Sequence, residues 1–364
     1  MKTSHLLLMG LATTAAASTA QDQSYLAIFA ETHATRIAGT KVVKLPPLPP
    51  GVKLPPAALA MLPTAPKKLL SVRLWSPTLA PDGATASIVP PSGLGLGDKL
   101  DLDLFRPTPR TGGGAGGGGG NGGSGSPPDF TIKFYWGSSD SVQPGQPKVF
   151  NLATLTPAQQ MEMGQAMIKA QAARGDNYYY KDNWTTGYWP AKGELGEVKE
   201  GSLVGTYNLN SSYAGNVSID APSDVDFLAP IEMTSPNLDN PVPLDGSIAF
   251  QWNPIANCLG SYATAMGPEG EHTLIVWSSS DQFVDQIMAD TSYLQMAEVK
   301  DRVASHLFMP GDRTNMTIPG GIFKSCKAVI FNMIGYGPGA AREGVTPLPR
   351  IQTKTTLSIT IPKK

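Results

Sequence analysis

Leu100-Asp101-Leu102-Asp103-Leu104 alternates strictly between apolar and acidic residues. Successive strand side chains point to opposite faces, so this run predicts a half-buried strand with leucines inward and carboxylates in solvent. The same short, β-branched or alternating pattern, bounded by Pro and Gly, recurs at 69–75, 84–89, 130–136, 148–152, 203–209 and 216–219. It continues at 248–252, 260–265, 273–277, 315–318, 326–334 and 355–361. Only one stretch before residue 230 has helical character. Thr156 is placed to cap it, Pro157 to open it and Gly175 to stop it after Arg174. Its Met161, Met163, Met167 and Ile168 suit core packing rather than a cofactor face. The expected fold class is therefore mostly β, with two β-sandwich-like domains, the first carrying an inserted helix.

Gly and Pro, 39 and 33 of the 364 residues, punctuate the chain into these short segments. Residues 21–66 carry Pro46-Pro47, Pro49-Pro50, Pro55-Pro56, Pro63 and Pro66, which predicts an extended arm lying over the surface. Between Glu31 and Asp82 that region has seven basic residues and no acid, as a solvated lead-in or an arm touching an anionic envelope surface would. Residues 111–126 hold 11 glycines in 16, a flexible insertion without the Lys-Ser/Thr ending of a phosphate loop. The expected division is a β domain over 67–222 and a second over 230–364.

The N-terminus reads as a secretory signal. Lys2 precedes the apolar core Leu6-Leu7-Leu8-Met9-Gly10-Leu11, and Ser18-Thr19-Ala20 supplies small residues for cleavage before Gln21. No later apolar run approaches the roughly 20 residues of a membrane span. The expected location is secreted, periplasmic or cell envelope. A net charge of −1 argues against bulk nucleic-acid binding. The charge is unevenly spread, however. Residues 201–299 hold 12 acids and no base, whereas 300–364 hold 10 bases and 3 acids. Either strands of the two stretches interleave and neutralise one another, or a bipolar surface drives self-association that sizing at low and high salt would detect.

The C-terminal third resembles fibronectin type III and related immunoglobulin-like modules. Trp252-Asn253-Pro254 followed by Tyr262 resembles their core Trp and following-strand aromatic. Ile318-Pro319-Gly320-Gly321-Ile322-Phe323 resembles the turn into their penultimate strand. The resemblance implies a two-layer sandwich, from which the partly helical insertion Asp281 to Phe308 departs. Residues 130–190 also resemble uncharacterised exported bacterial proteins. Neither likeness implies a function. In such a sandwich Cys258 lies in the loop after the Trp252 strand and Cys326 starts a strand at the opposite end. Export permits a disulfide between them, but a bond needs Cα atoms within about 7 Å. Two separate buried thiols are the other reading.

Candidate chemistry is sparse. No Gly-x-Ser-x-Gly elbow occurs, and His33, His272 and His306 with the two thiols show no metal-ligand spacing. His272 and His306 could activate a Ser or Cys, but no spacing selects them. No cofactor motif is present. Asp220, Asp224 and Asp226 are weak calcium candidates at the domain seam, against an ordinary acidic linker. Tyr178, Tyr179, Tyr180, Trp184, Tyr188 and Trp189 form an aromatic cluster that either packs a long loop or offers a platform to sugar rings or peptides. The leading expectation is an exported non-catalytic binding or structural protein, with an unknown protein or glycan at the cell surface as partner. The alternatives are a secreted enzyme on polysaccharide or peptide with an accessory β module, and a self-assembling envelope component.

Overall fold

The computed structural model describes residues 22–42, 63–107, 129–156, 158–159, 181, 183–191, 196–283 and 293–363. The expected signal segment, most of the Pro-rich run, the Gly-rich tract, Tyr178–Tyr180 and nearly all of the 157–174 helix lie outside them. Where that helix would start, the N–H of Gln159 donates to Thr156 Oγ1 and the N–H of Thr156 to Gln159 Oε1, a reciprocal cap.

The chain is mostly β. In order it forms β1 (Tyr25–Ile37), β2 (Thr64–Ser76), β3 (Ala86–Val89), β4 (Leu100–Asp101) and β5 (Asp103–Phe105). Then come β6 (Thr131–Trp136), β7 (Lys148–Asn151), β8 (Thr185–Trp189), β9 (Gly196–Val198), β10 (Gly205–Ser211) and β11 (Val217–Ala221). The remainder is β12 (Met233–Ser235), β13 (Ile248–Trp252), β14 (Gly260–Glu269), β15 (Thr273–Ser278), the helix α1 (Met296–Ala304) and β16 (Met309–Pro310). β17 (Asn315–Ile318), β18 (Ala328–Tyr336), β19 (Ala340–Ala341) and β20 (Leu348–Pro362) complete it.

Thirteen strands join one mixed sheet whose main path runs β5-β8-β2-β1-β20-β18-β14-β15-β6-β7. A four-stranded sheet (β11-β10-β3-β4) and a three-stranded sheet (β12-β13-β17) pack on its inner face. Leu26, Ile28, Leu70 and Val72 of the large sheet meet Ile88, Leu100, Tyr207 and Ile219 of the four-stranded one. Ala265, Trp277, Phe331 and Leu357 meet Phe250, Trp252 and Ile318 of the three-stranded one. The layering is sandwich-like and not a closed barrel. The Leu-Asp alternation keeps Leu100 and Leu102 inside and Asp101 and Asp103 outside, yet β4 and β5 are shared between two different sheets.

Two expectations are corrected. First, Tyr25–Ile37 is not part of a surface arm. It is a buried central strand, antiparallel to β2 and parallel to β20 along its whole length. The prolines stand after it, and 25–37 itself contains none. Pro66 lies where the β1–β2 register shifts, a bulge that tolerates a missing N–H. Second, the chain does not divide near residue 222–230. β1, β2, β5 and β8 continue through β20 into β18 and β14, and β6 pairs in parallel with β15. Strands of the acidic and basic stretches also lie side by side, β14 with β18 and β13 with β17, so the two stretches interleave.

Candidate functional site

The outer face of the large sheet holds the polar residues. Partners in register share a face, so β1 presents Phe29, Glu31, His33 and Thr35 beside Gln352, Lys354, Thr356 and Ser358 of β20. α1 and its flanks cover one part of this face, through Val299, Leu294 and Phe308 against Tyr262 and Tyr336. Phe283, Phe134 and Phe150 cover another. α1 lies inside the insertion expected to be partly helical. It starts at a capping box of Gln295 and Glu298.

Under that cover sits a closed polar cluster. Lys354 Nζ stands 3.3 Å from Glu31 Oε2, and both side chains are about nine-tenths buried. The Tyr293 hydroxyl lies 3.4 Å from the same oxygen. Its ring stacks on Phe29 at 4.2 Å and lies 4.0 Å below the ammonium. Thr356 Oγ1 donates to Glu31 Oε1 at 2.5 Å. That commits the only hydroxyl proton, so Thr356 accepts from His33 Nδ1 at 2.7 Å. The other ring nitrogen of His33 faces Thr35 Oγ1 at 3.2 Å. A chain Thr35–His33–Thr356–Glu31–Lys354 therefore crosses two strands. The His33 side chain, 34% exposed, is its link to solvent.

Burial is the largest influence on the Glu31 carboxyl and pushes its pKa up. Lys354, with hydrogen bonds and charge from His33 and Thr356, outweighs it and holds the group at about 2. A depressed carboxylate stabilises the fold above the unfolded-state pKa near 4.5 and loses that contribution as pH falls toward 2. In the ion-paired protein, about 3 kcal/mol should thus disappear between pH 5 and 2. Urea midpoints taken across that range measure it, and a flat profile would mean the carboxyl is not so held.

Beyond the cluster the face is only half covered. Thr35, Ser358, Asn332, Thr264, Ser278 and Trp136 lie in register across six strands. They form a row about 24 Å long at the usual interstrand spacing. All but Thr35 are half-exposed. Ser358 Oγ donates to Asn332 Oδ1 at 2.8 Å. Ile330, in the next row, is 48% exposed.

The sites expected from sequence fare differently. Trp184 and Tyr188 are 3% and 1% exposed, and Trp189 is half-buried against the inner core. Trp184 stacks on Tyr25, and Tyr188 lies under the fully buried Arg73, whose Nη1 donates to the carbonyls of Val72 and Trp189. Trp184, just before β8, and Tyr188, on β8 between β5 and β2, are therefore packed rings. Asp226 accepts from Ser202 Oγ and the N–H groups of Leu203 and Phe227, and Asp220 accepts from Thr206 Oγ1. Asp224 is exposed, and no cluster of three or more metal-ligating side chains occurs among the described residues. The three aspartates therefore do not converge on a cation.

The cysteines are free thiols, not a disulfide. Cys258 lies against Gly335, beside the start of β14, and Cys326 against Gly267 near its end. The separation is about 20 Å along the strand. Burial pushes both thiols up to about 11. Iodoacetamide should accordingly label the native protein slowly and the denatured protein rapidly at two sites, as counted by mass. Fast native labelling would contradict the burial.

Glu31, Lys354 and Thr356 had no role in the sequence reading. The available signal was a lone acid ending the apolar run Leu26–Ala30. Fold and site together define a mostly β, sandwich-like protein built on one large sheet with an ion pair at its centre. No family model, curated protein or solved structure matches the chain. Among the described residues no helix is long and apolar enough to cross a membrane.

Proposed function

We propose that the chain is an exported, non-catalytic binding protein of the cell envelope or extracellular space, and that it holds a glycan on the half-covered outer face of the large sheet. The observation that carries this reading is the row Ser358, Asn332, Thr264 and Ser278, which ends at Trp136. Hydroxyl and amide groups at interstrand spacing can hydrogen-bond successive sugar hydroxyls, and an indole can stack on a ring. The closed cluster beside it argues in the same direction. A carboxyl held near 2 is a poor proton carrier at neutral pH, where a general acid or base works best with a pKa near the operating pH. Export rests on the N-terminal pattern of the sequence.

Glycan and protein arrays probed with the purified chain test this. Trp136→Ala and the pair Thr264→Ala with Asn332→Ala should each weaken binding at least ten-fold. Full binding by both variants would remove this face from the function.

A secreted enzyme is the second reading, and the chain Thr35–His33–Thr356–Glu31 is the observation in its favour. Against it, Thr35 is buried within a central strand. Turnover of a polysaccharide or peptide substrate that is lost in His33→Ala would select this reading.

A further inference from the structure

The Glu31–Lys354 pair joins the first and last strands among the described residues. β1 and β20 are parallel neighbours in register over 13 residue pairs, and Glu31 stands directly opposite Lys354. Three features separate this pair from an ordinary salt bridge. First, both side chains are nearly closed to water, with 12% and 10% exposure, so neither charge is well solvated. Second, the nitrogen is 3.3 Å from one carboxylate oxygen, in contact with the carboxyl group whose carbon it would attack, and two paired strands hold it there. Third, the donors are divided. Thr356, backed by His33, serves Oε1, while the Tyr293 hydroxyl approaches Oε2.

We propose that Glu31 and Lys354 condense to an intramolecular amide, Lys354 Nζ bonded to Glu31 Cδ, which covalently ties together two adjacent central strands of the large sheet. A proton first passes from the ammonium to Oε2, converting the ion pair into a neutral amine and a carboxylic acid. Burial works toward that exchange because it disfavours both charges, but the attraction of Lys354 outweighs it, so the neutral pair is the minor, reactive form and the reaction is slow. The nitrogen lone pair attacks Cδ, and the carbonyl π pair moves onto Oε1, where the Thr356 hydroxyl stabilises it as an oxyanion. A second proton leaves Nζ for Oε2. The Cδ–Oε2 bond breaks, Oε2 departs as water, and the carbonyl re-forms at Oε1. An ammonium and a carboxylate thus become one amide and one water, with no oxidant or cofactor. The product keeps the Thr356 hydrogen bond to Oε1. In this account Thr356 is the oxyanion donor and Tyr293 attends the leaving oxygen.

The inference is independent of the glycan reading, since its test needs no ligand. The purified chain, shown by circular dichroism to be folded and β-rich, is incubated and then denatured for intact-mass measurement and proteolytic mapping. The expected result is a mass one water below that of its own sequence, with a fragment linking the Glu31 peptide to the Lys354 peptide. Lys354→Arg keeps the positive charge but not the amine, and should return the full mass. Thr356→Val should slow the appearance of the linked form at least ten-fold after refolding. The linked protein should also lack the acid-dependent loss of stability described for the ion pair. A folded wild-type chain that keeps its full mass through prolonged incubation would overturn the proposal. So would a loss of water that maps to an aspartyl succinimide with no linked peptide.

Discussion

Lys354→Ala is expected to destabilise the fold by about 3–5 kcal/mol, the usual consequence of removing one member of a buried ion pair. The substitution leaves the Glu31 carboxylate in place with only the Thr356 and Tyr293 hydroxyls and His33 to meet its charge. It also takes the cation from above the Tyr293 ring. Where the amide has formed, the loss is larger, because the cross-link between the chain ends goes as well. Chemical denaturation at neutral pH measures the change. The double substitution Glu31→Leu with Lys354→Met should recover most of it, because two apolar side chains of similar volume remove both desolvation costs together. A single-variant effect below about 1 kcal/mol would place the pair in solvent-like surroundings, contrary to its burial.

Phe250→Ala should cost a similar amount, about 3–5 kcal/mol, through a cavity between two layers. Phe250 is fully buried on β13 and stacks on Phe331 of the large sheet, with ring centres 4.5 Å apart and planes 12° from parallel. Its neighbours Trp252, Ile318 and Trp277 belong to the same core, and rigid strands cannot collapse to fill the space. Ile330→Ala on the opposite face of β18 is the control. Its side chain is 48% exposed, and its loss should lie within about 0.5 kcal/mol. Equal effects at the two positions would mean that the three-stranded sheet does not seal the inner face.

Local pattern carried a good part of the secondary structure. The alternation at 100–104 and 248–252 placed the right residues inside, and the cap at Thr156 was legible from Thr156-Pro157, the structure adding Gln159 as its partner. Proline density misled. The Pro-rich run after residue 45 was extended backward over Tyr25–Ile37, although that segment alone has the make-up of a buried strand. The aromatic segment leaves two readings open for another reason. Trp184 and Tyr188 have the same composition whether a ring faces a ligand or a core, and only the tertiary packing around each distinguishes them. The candidate site was not legible at all. Thr356 and Glu31 meet across 325 positions of chain, and Tyr293 and Glu31 across 262.

The amino-acid sequence alone determined that this chain forms short strands layered about apolar faces, because alternation, β-branching and turn residues act over a few neighbouring positions. Tertiary structure alone decided which strands became neighbours, that the chain forms one large sheet in place of two domains, and that a lone acid faces a lone lysine. Those outcomes depend on the parallel pairing of the first strand with the last. Its register is set by how all the faces pack at once, and no local run of residues encodes it.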